Sequence, residues 1–179
     1  AGDGANFVSI PGTPNGGTST GWFRYSATNP GSCSDSFGTR APSSGGTNLG
    51  AGTSATNFQQ GIGSLSPGTT YYYCAIVTNS YGTSFGAIVS FVTPATTPTV
   101  STSGASNLTR TDALLSGYGN PGGWATVGWF RYSTASPGTC NDSFGTRAPA
   151  TGGSAMGAGT SNVSFSQAIS GLSAATTYY

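Results

Sequence analysis

LSPGTTYYYCAIVTNSYG, from Leu65 to Gly82, followed by GAIVSFVTP, from Gly86 to Pro94, is the stretch whose reading decides the fold. Its aromatic and β-branched residues suit a pleated, half-buried strand. Pro67-Gly68 turns the chain ahead of the first run, and Asn79 to Gly82 reads as the short turn of a hairpin into the second. A tyrosine at the head of such a strand can fasten the preceding turn through its hydroxyl, a tyrosine corner, and Tyr71 holds that place. Period-two alternation then sets the faces. If Tyr71 points inward, so do Tyr73, Ala75 and Val77, while Tyr72, Cys74 and Ile76 lie on the opposite face.

Outward from this stretch, the chain repeats itself. GWFRYS at Gly21 to Ser26 returns at Gly128 to Ser133, an offset of 107 residues. The same offset carries Cys33 onto Cys140, SFGTRAP at Ser36 to Pro42 onto Ser143 to Pro149, and Phe58 onto Phe165. It also carries Leu65 onto Leu172 and Tyr71-Tyr72 onto Tyr178-Tyr179, with no gap. A fixed period of this kind outranks any single element in deciding architecture. The 179 residues read as about 1.7 copies of one unit. Residues 1–94 are expected to form a repeat lacking its first strand, and residues 95–179 a second lacking its last strands, as a window on a longer tandem array. PATTPTV, Pro94 to Val100, reads as a short, stiff link between them.

Composition narrows the chemistry. Glycine (30), proline (10), serine (27) and threonine (27) make up more than half of the chain. The only charged residues are five arginines and four aspartates, with no lysine, glutamate or histidine. That excludes a Ser-His-Asp or Cys-His pair, an ordinary zinc site and a lysine Schiff base. We expect no catalytic residues, no cofactor and no metal. A net charge of +1 gives no footprint for nucleic acid, and no apolar run approaches a membrane span. The opening Ala-Gly-Asp-Gly has no basic region followed by an apolar stretch and reads as a mature or internal segment.

The cysteines follow the repeat. Cys33 and Cys74 fall in one copy, and the partner matching Cys74 for Cys140 would lie beyond the end. One disulfide per repeat, Cys33 with Cys74, is the expected arrangement; three buried free thiols are the alternative. Paired cysteines point to an oxidising, secreted or cell-surface setting.

Several positions together resemble a known family. Ala113, Leu115, Gly117, Pro121 and Gly122, then Phe130 and Tyr132, match the opening strands of the fibronectin type III-like repeats of bacterial secreted and surface proteins. Leu65, Pro67, Gly68, Thr69, Tyr71, Asn79, Gly82, Gly86, Phe91 and Thr93 match their closing pattern. The resemblance implies an all-β fold of tandem fibronectin type III-like, immunoglobulin-like β-sandwich domains, each of seven strands, and implies no activity. The cysteine pair, the SFGTRAP segment and the lack of Lys and Glu depart from that family.

In the resembled fold the strand through Trp22 neighbours the strand through Cys74, so Trp22, Arg24, Tyr72 and Ile76 would share an exposed outer face. Trp129, Arg131 and Tyr179 take the same places in the second copy. That face has three readings: Arg24 lying over Trp22 and Tyr72 to stiffen the sheet, a surface packing on a neighbouring repeat or subunit, or a platform for sugar rings. Asp35 with Arg40, and Asp142 with Arg147, are expected to form loop ion pairs, the rival being half of a calcium site. Asp3 and Asp112 read as turn residues. Asn107, Asn141 and Asn162 head glycosylation sequons. The function expected is that of a structural repeat in an extracellular filament, sheath or appendage whose partner is itself. The alternative is an adhesin stalk or a carbohydrate-binding spacer of a secreted enzyme.

Overall fold

A computed structural model describes residues 6–179; Asp3 lies outside them. The described chain is all-β, with antiparallel sheets and no helix. It divides into two compact units, Ala1–Thr93 and Pro94–Tyr179. The first holds β1 (Asn6–Gly12), β2 (Ser19–Ser26), β3 (Thr39–Ala41), β4 (Thr47–Gly50), β5 (Thr56–Ile62), β6 (Thr70–Asn79), β7 (Gly82–Phe85) and β8 (Val89–Val92). The second holds β9 (Thr99–Thr102), β10 (Ala113–Asn120), β11 (Thr126–Gly128), β12 (Phe130–Tyr132), β13 (Thr146–Ala148), β14 (Ser154–Gly157) and β15 (Val163–Ile169).

In unit 1, β1 pairs with β5, while β2 and β6 form the centre of the other sheet, flanked by β3 and β4 on one side and β7 and β8 on the other. Inward residues of both sheets meet in one cluster: Val8 and Phe58 from one, Phe23, Leu49 and Ala75 from the other. Phe23 and Phe58 stand 4.7 Å apart between ring centroids. Tyr25, Tyr73 and Val77 close the cluster, so the inward row is Phe23 and Tyr25 on β2 and Tyr73, Ala75 and Val77 on β6. Close approach explains Gly21: a Cβ there would fall 2.8 Å from the Phe58 ring.

The Tyr71 hydroxyl accepts the Ser66 N–H at 3.1 Å, and Tyr178 does the same for Ser173 at 3.0 Å. The run after the hairpin is not one strand. β7 pairs with the second half of β6, Gly86 donates to the Ala75 carbonyl at 2.9 Å, and β8 then pairs with the first half. Just past β8, the Thr93 hydroxyl donates to the Ser66 carbonyl at 2.6 Å and the Thr93 carbonyl accepts the Gly68 N–H. Two turns distant in sequence are thereby tied together.

Unit 2 repeats β1 to β5 as β10 to β15, with β2 split into β11 and β12. Phe130 and Phe165 again stand 4.7 Å apart. β9, which pairs with β10, begins inside the segment read as a link, and Thr96 already donates to the Gly122 carbonyl at 2.8 Å. The free link is therefore shorter than Pro94 to Val100. Tyr179 pairs with Ser133 through both backbone hydrogen bonds, as Tyr72 pairs with Ser26 in unit 1. The buried apolar residues of unit 2 form one cluster around Ala113, Ala148 and Ile169 and another around Phe130, Met156 and Phe165.

Candidate functional site: a duplicated tryptophan, arginine and aspartate node

The outer face of β2 and β6 gathers the charged residues. The ladder places Trp22 opposite Ile76 and Arg24 opposite Cys74 on one side, and Arg24 opposite Arg40 on the other. Like charges directly opposite each other across strands are unfavourable. The segment between β2 and β3 resolves the conflict by folding back over the sheet. Asp35 Oδ1 accepts the Trp22 indole N–H at 2.9 Å and the Arg24 Nε–H at 2.9 Å. Arg24 Nη1 donates to the Phe37 carbonyl at 3.3 Å. Arg40 takes a separate path: its Cζ lies 4.6 Å over the Trp22 ring, and its Nη groups donate to the carbonyls of Pro42 and Gly45.

This geometry corrects three expectations. Asp35 pairs with Arg24 and not with Arg40, because the cross-strand register leaves Arg24 facing the returning segment. The guanidinium stacked on Trp22 is that of Arg40, not Arg24. The face is also not open in unit 1. Trp22 is 7% exposed and Ile76 0%, packed under Cys33, Phe37 and Ile88. Tyr72 is half-buried. The cover is held by the Cys33–Cys74 disulfide, in which Cys74 is 0% exposed. Gly38 makes the return possible: at φ 49° it lies so close to the Tyr25 carbonyl that a Cβ would fall 2.2 Å from that oxygen.

The node recurs in unit 2. Asp142 Oδ1 accepts the Trp129 indole N–H at 2.8 Å and Arg131 Nε–H at 3.0 Å, and Arg147 Cζ lies 4.6 Å over Trp129. Asp142 thus pairs with Arg131 rather than the expected Arg147. Trp129, however, is 38% exposed, Tyr179 is exposed, and Cys140 is an exposed free thiol. The sequon residues Asn107, Asn141 and Asn162 are all exposed, as an acceptor must be. Asp112 sits in a turn, where its backbone N–H donates to Thr109 Oγ1 at 2.9 Å. The described residues contain no cluster of three or more ligating side chains. No described helix is long and apolar enough to cross a membrane.

Burial pulls the Asp35 carboxyl upward, but the hydrogen bonds from Trp22 and Arg24 and the charges of Arg24 and Arg40 together hold it below the ordinary value of 3.8. For Asp142 the hydrogen bond from Trp129 leads, followed by that from Arg131, with the same result. A depressed carboxylate contributes stability that is complete above its unfolded value and is lost as pH falls through the lower folded value. Acidification below about pH 4 is therefore expected to release the covering segment. The release is modest because both carboxylates are largely solvated. Hydrogen exchange of residues 30–38 followed from pH 5 to 2 reads it, and Asp35→Asn should flatten the profile. Identical acid profiles for the native chain and the variant would count against this pin.

Comparison of the chain with family models, with curated proteins and with solved structures finds no match.

Proposed function

We propose that the two units are tandem fibronectin type III-like repeats of an extracellular structural assembly, a filament, sheath or surface appendage whose partner is a further copy of itself. The observation that carries this reading is the duplicated node. At a spacing of 107 residues each unit gathers two arginines and an aspartate into one node that ties a covering segment to the sheet, leaving a surface rich in serine, threonine and glycine with scattered apolar residues. Such a surface has little charge repulsion to oppose self-association. The Cys33–Cys74 bond supports a secreted location, since disulfides persist in oxidising compartments.

The glycan-binding reading retains one favourable observation, the partly exposed indole of Trp129. Against it, Arg147 covers one face of that ring, as Arg40 covers Trp22, and a sugar platform needs an open face. Sedimentation over a concentration series, followed by a pull-down on insoluble polysaccharides, separates the two. Multimers that ignore the polysaccharides are expected. A strictly monomeric chain that binds them, and loses binding on Trp129→Ala, would replace the assembly reading with the carbohydrate module.

A further inference from the structure

Each unit carries an unpaired sheet edge in the interior of the chain. β5 pairs with β1 alone and β15 with β10 alone, and the segments joining β4 to β5 and β14 to β15 add no described strand beside them. The ladder tells which backbone groups face that edge. In unit 2, Leu114 and Ser106 exchange both backbone hydrogen bonds, at 2.8 and 2.9 Å, and the Ser116 carbonyl accepts the Ser103 N–H at 2.8 Å. Successive residues of a strand direct their N–H and C=O to opposite sides. Ala113, Leu115 and Gly117 therefore point toward β15, where Ile169, Gln167 and Phe165 face them. The residues between, Ser164, Ser166 and Ala168, direct theirs to the unpaired edge. Phe7 faces Gly61 as Leu114 faces Ala168, so Asn57, Gln59 and Gly61 line the edge in unit 1. All six edge residues are exposed.

Such an edge is a template for another strand, and proteins blunt it with lysine, inward charges, proline or a bulge. This chain has no lysine, and neither TNFQQGI nor VSFSQAI holds a charged residue or a proline. Both registers run through seven pairs without a shift. What both strands do hold is a glutamine in the inward row. Phe58, Gln60 and Ile62 share one face, as do Phe165, Gln167 and Ile169; the phenylalanines and isoleucines are buried and the glutamines half-buried. The chain has three glutamines, and this is the one place where both copies carry one. In each, the side-chain amide turns back to the backbone. Gln60 Nε2 donates to the Gly61 carbonyl at 2.9 Å, and Gln167 Nε2 to the Ala168 carbonyl at 2.8 Å. Both acceptors are edge-facing carbonyls.

We infer that Gln60 and Gln167 guard these edges, each keeping its amide on the carbonyl that an incoming strand would need, so that a second copy of the chain does not pair along β5 or β15. A second copy is the partner excluded because every copy presents the same two uncharged edges, with no like charges to hold them apart. A strand added there must donate an N–H to the Gly61 or Ala168 carbonyl. The glutamine amide, tethered one residue away, already supplies that donor at high effective concentration. A polar side chain in an apolar row gives up burial that an aliphatic one would gain, and this use accounts for finding it in both units. The inference goes beyond the assembly reading and bears on it: copies that associate do so through other surfaces.

The test uses the full 179-residue chain carrying Gln60→Met and Gln167→Met together, which keeps side-chain length and removes the donor. Gln59→Met, which adds the same apolar group at an exposed position of β5, is the control. Amide exchange of Asn57, Gln59, Ser164 and Ser166 is followed over a concentration series. In the native chain and the control these edge amides are expected to stay open at every concentration. In the double variant their exchange is expected to slow by roughly five- to tenfold as concentration rises, the equilibrium worth of one hydrogen bond. Gln60→Ala with Gln167→Ala removes the donor with the least demand on packing and carries the test if methionine does not fit. Edge amides as open in both double variants as in the native chain would overturn the proposal. So would native edge amides that close as the chain associates, since the edge would then be an interface in spite of the glutamines. Equal protection in Gln59→Met would also overturn it, by assigning the effect to added apolar surface. Protection gained by the double variants of a chain whose native form never associates would support the guard and sink the assembly reading.

Discussion

Replacing Cys33 and Cys74 together by alanine is expected to destabilise unit 1 by about 4 kcal/mol, the chain-entropy value for a loop of this size. The bond spans a sequence separation of 41 residues and closes β3, β4, β5 and the first half of β6 into one loop. For a unit of roughly this length each kcal/mol moves the midpoint by about 4–8 °C, so a fall of roughly 15–30 °C is expected. Thermal unfolding monitored through exchange of the β6 amides would measure it, with unit 2, which has no disulfide, as the internal reference. Alanine is preferred to serine because Cys74 is fully buried and a hydroxyl there would lack a partner. A drop of only a few degrees would mean that the Asp35 hydrogen bonds alone hold the covering segment, and that the disulfide is incidental to the fold.

Phe23→Ala should be of similar size, about 3–5 kcal/mol, as for large aromatic truncations in packed cores. Phe23 is 1% exposed, with Phe58 at 4.7 Å and Tyr73 at 6.4 Å between ring centroids. Phe130→Ala, the same change in unit 2, is expected to cost clearly less. Phe130 already borders the open inner cavity, so less packing is lost on truncation. Denaturant midpoints of the two variants give the comparison. Equal losses would mean that Phe130 packs as tightly as Phe23.

The contrast between Trp22 and Trp129 shows how far local pattern reaches. Alternation in GWFRYS and TTYYYCAIVTN assigned Phe23, Tyr25, Tyr73 and Val77 to the core and Trp22, Arg24, Cys74 and Ile76 to the other side. That is a property of neighbouring residues, set by the pleat. Whether the other side meets water was not legible, because the Ser34 to Gly38 segment that covers it has one apolar side chain, Phe37, and carries no periodic signal. Its path depends on a disulfide across 41 residues and on an aspartate reaching back 11 and 13 residues to Arg24 and Trp22.

The arginines divide the same way. Sequence spacing placed Asp35 near Arg40, five residues on, and that proximity was the natural guide to a partner. The β2 to β3 register instead set Arg24 against Arg40, and the like-charge conflict was relieved by giving Asp35 to Arg24 and the Trp22 ring to Arg40.

By itself, then, the amino-acid sequence determined the strand-forming runs, their inward rows, the 107-residue period and the pair of cysteines, since all of these follow from local alternation and self-similarity. Only the tertiary structure decided which charge meets which, and that one tryptophan is covered while its counterpart is partly open. Those depend on register and on the path of the segment that returns over the sheet, and strand pairing joins residues that no short window of sequence contains.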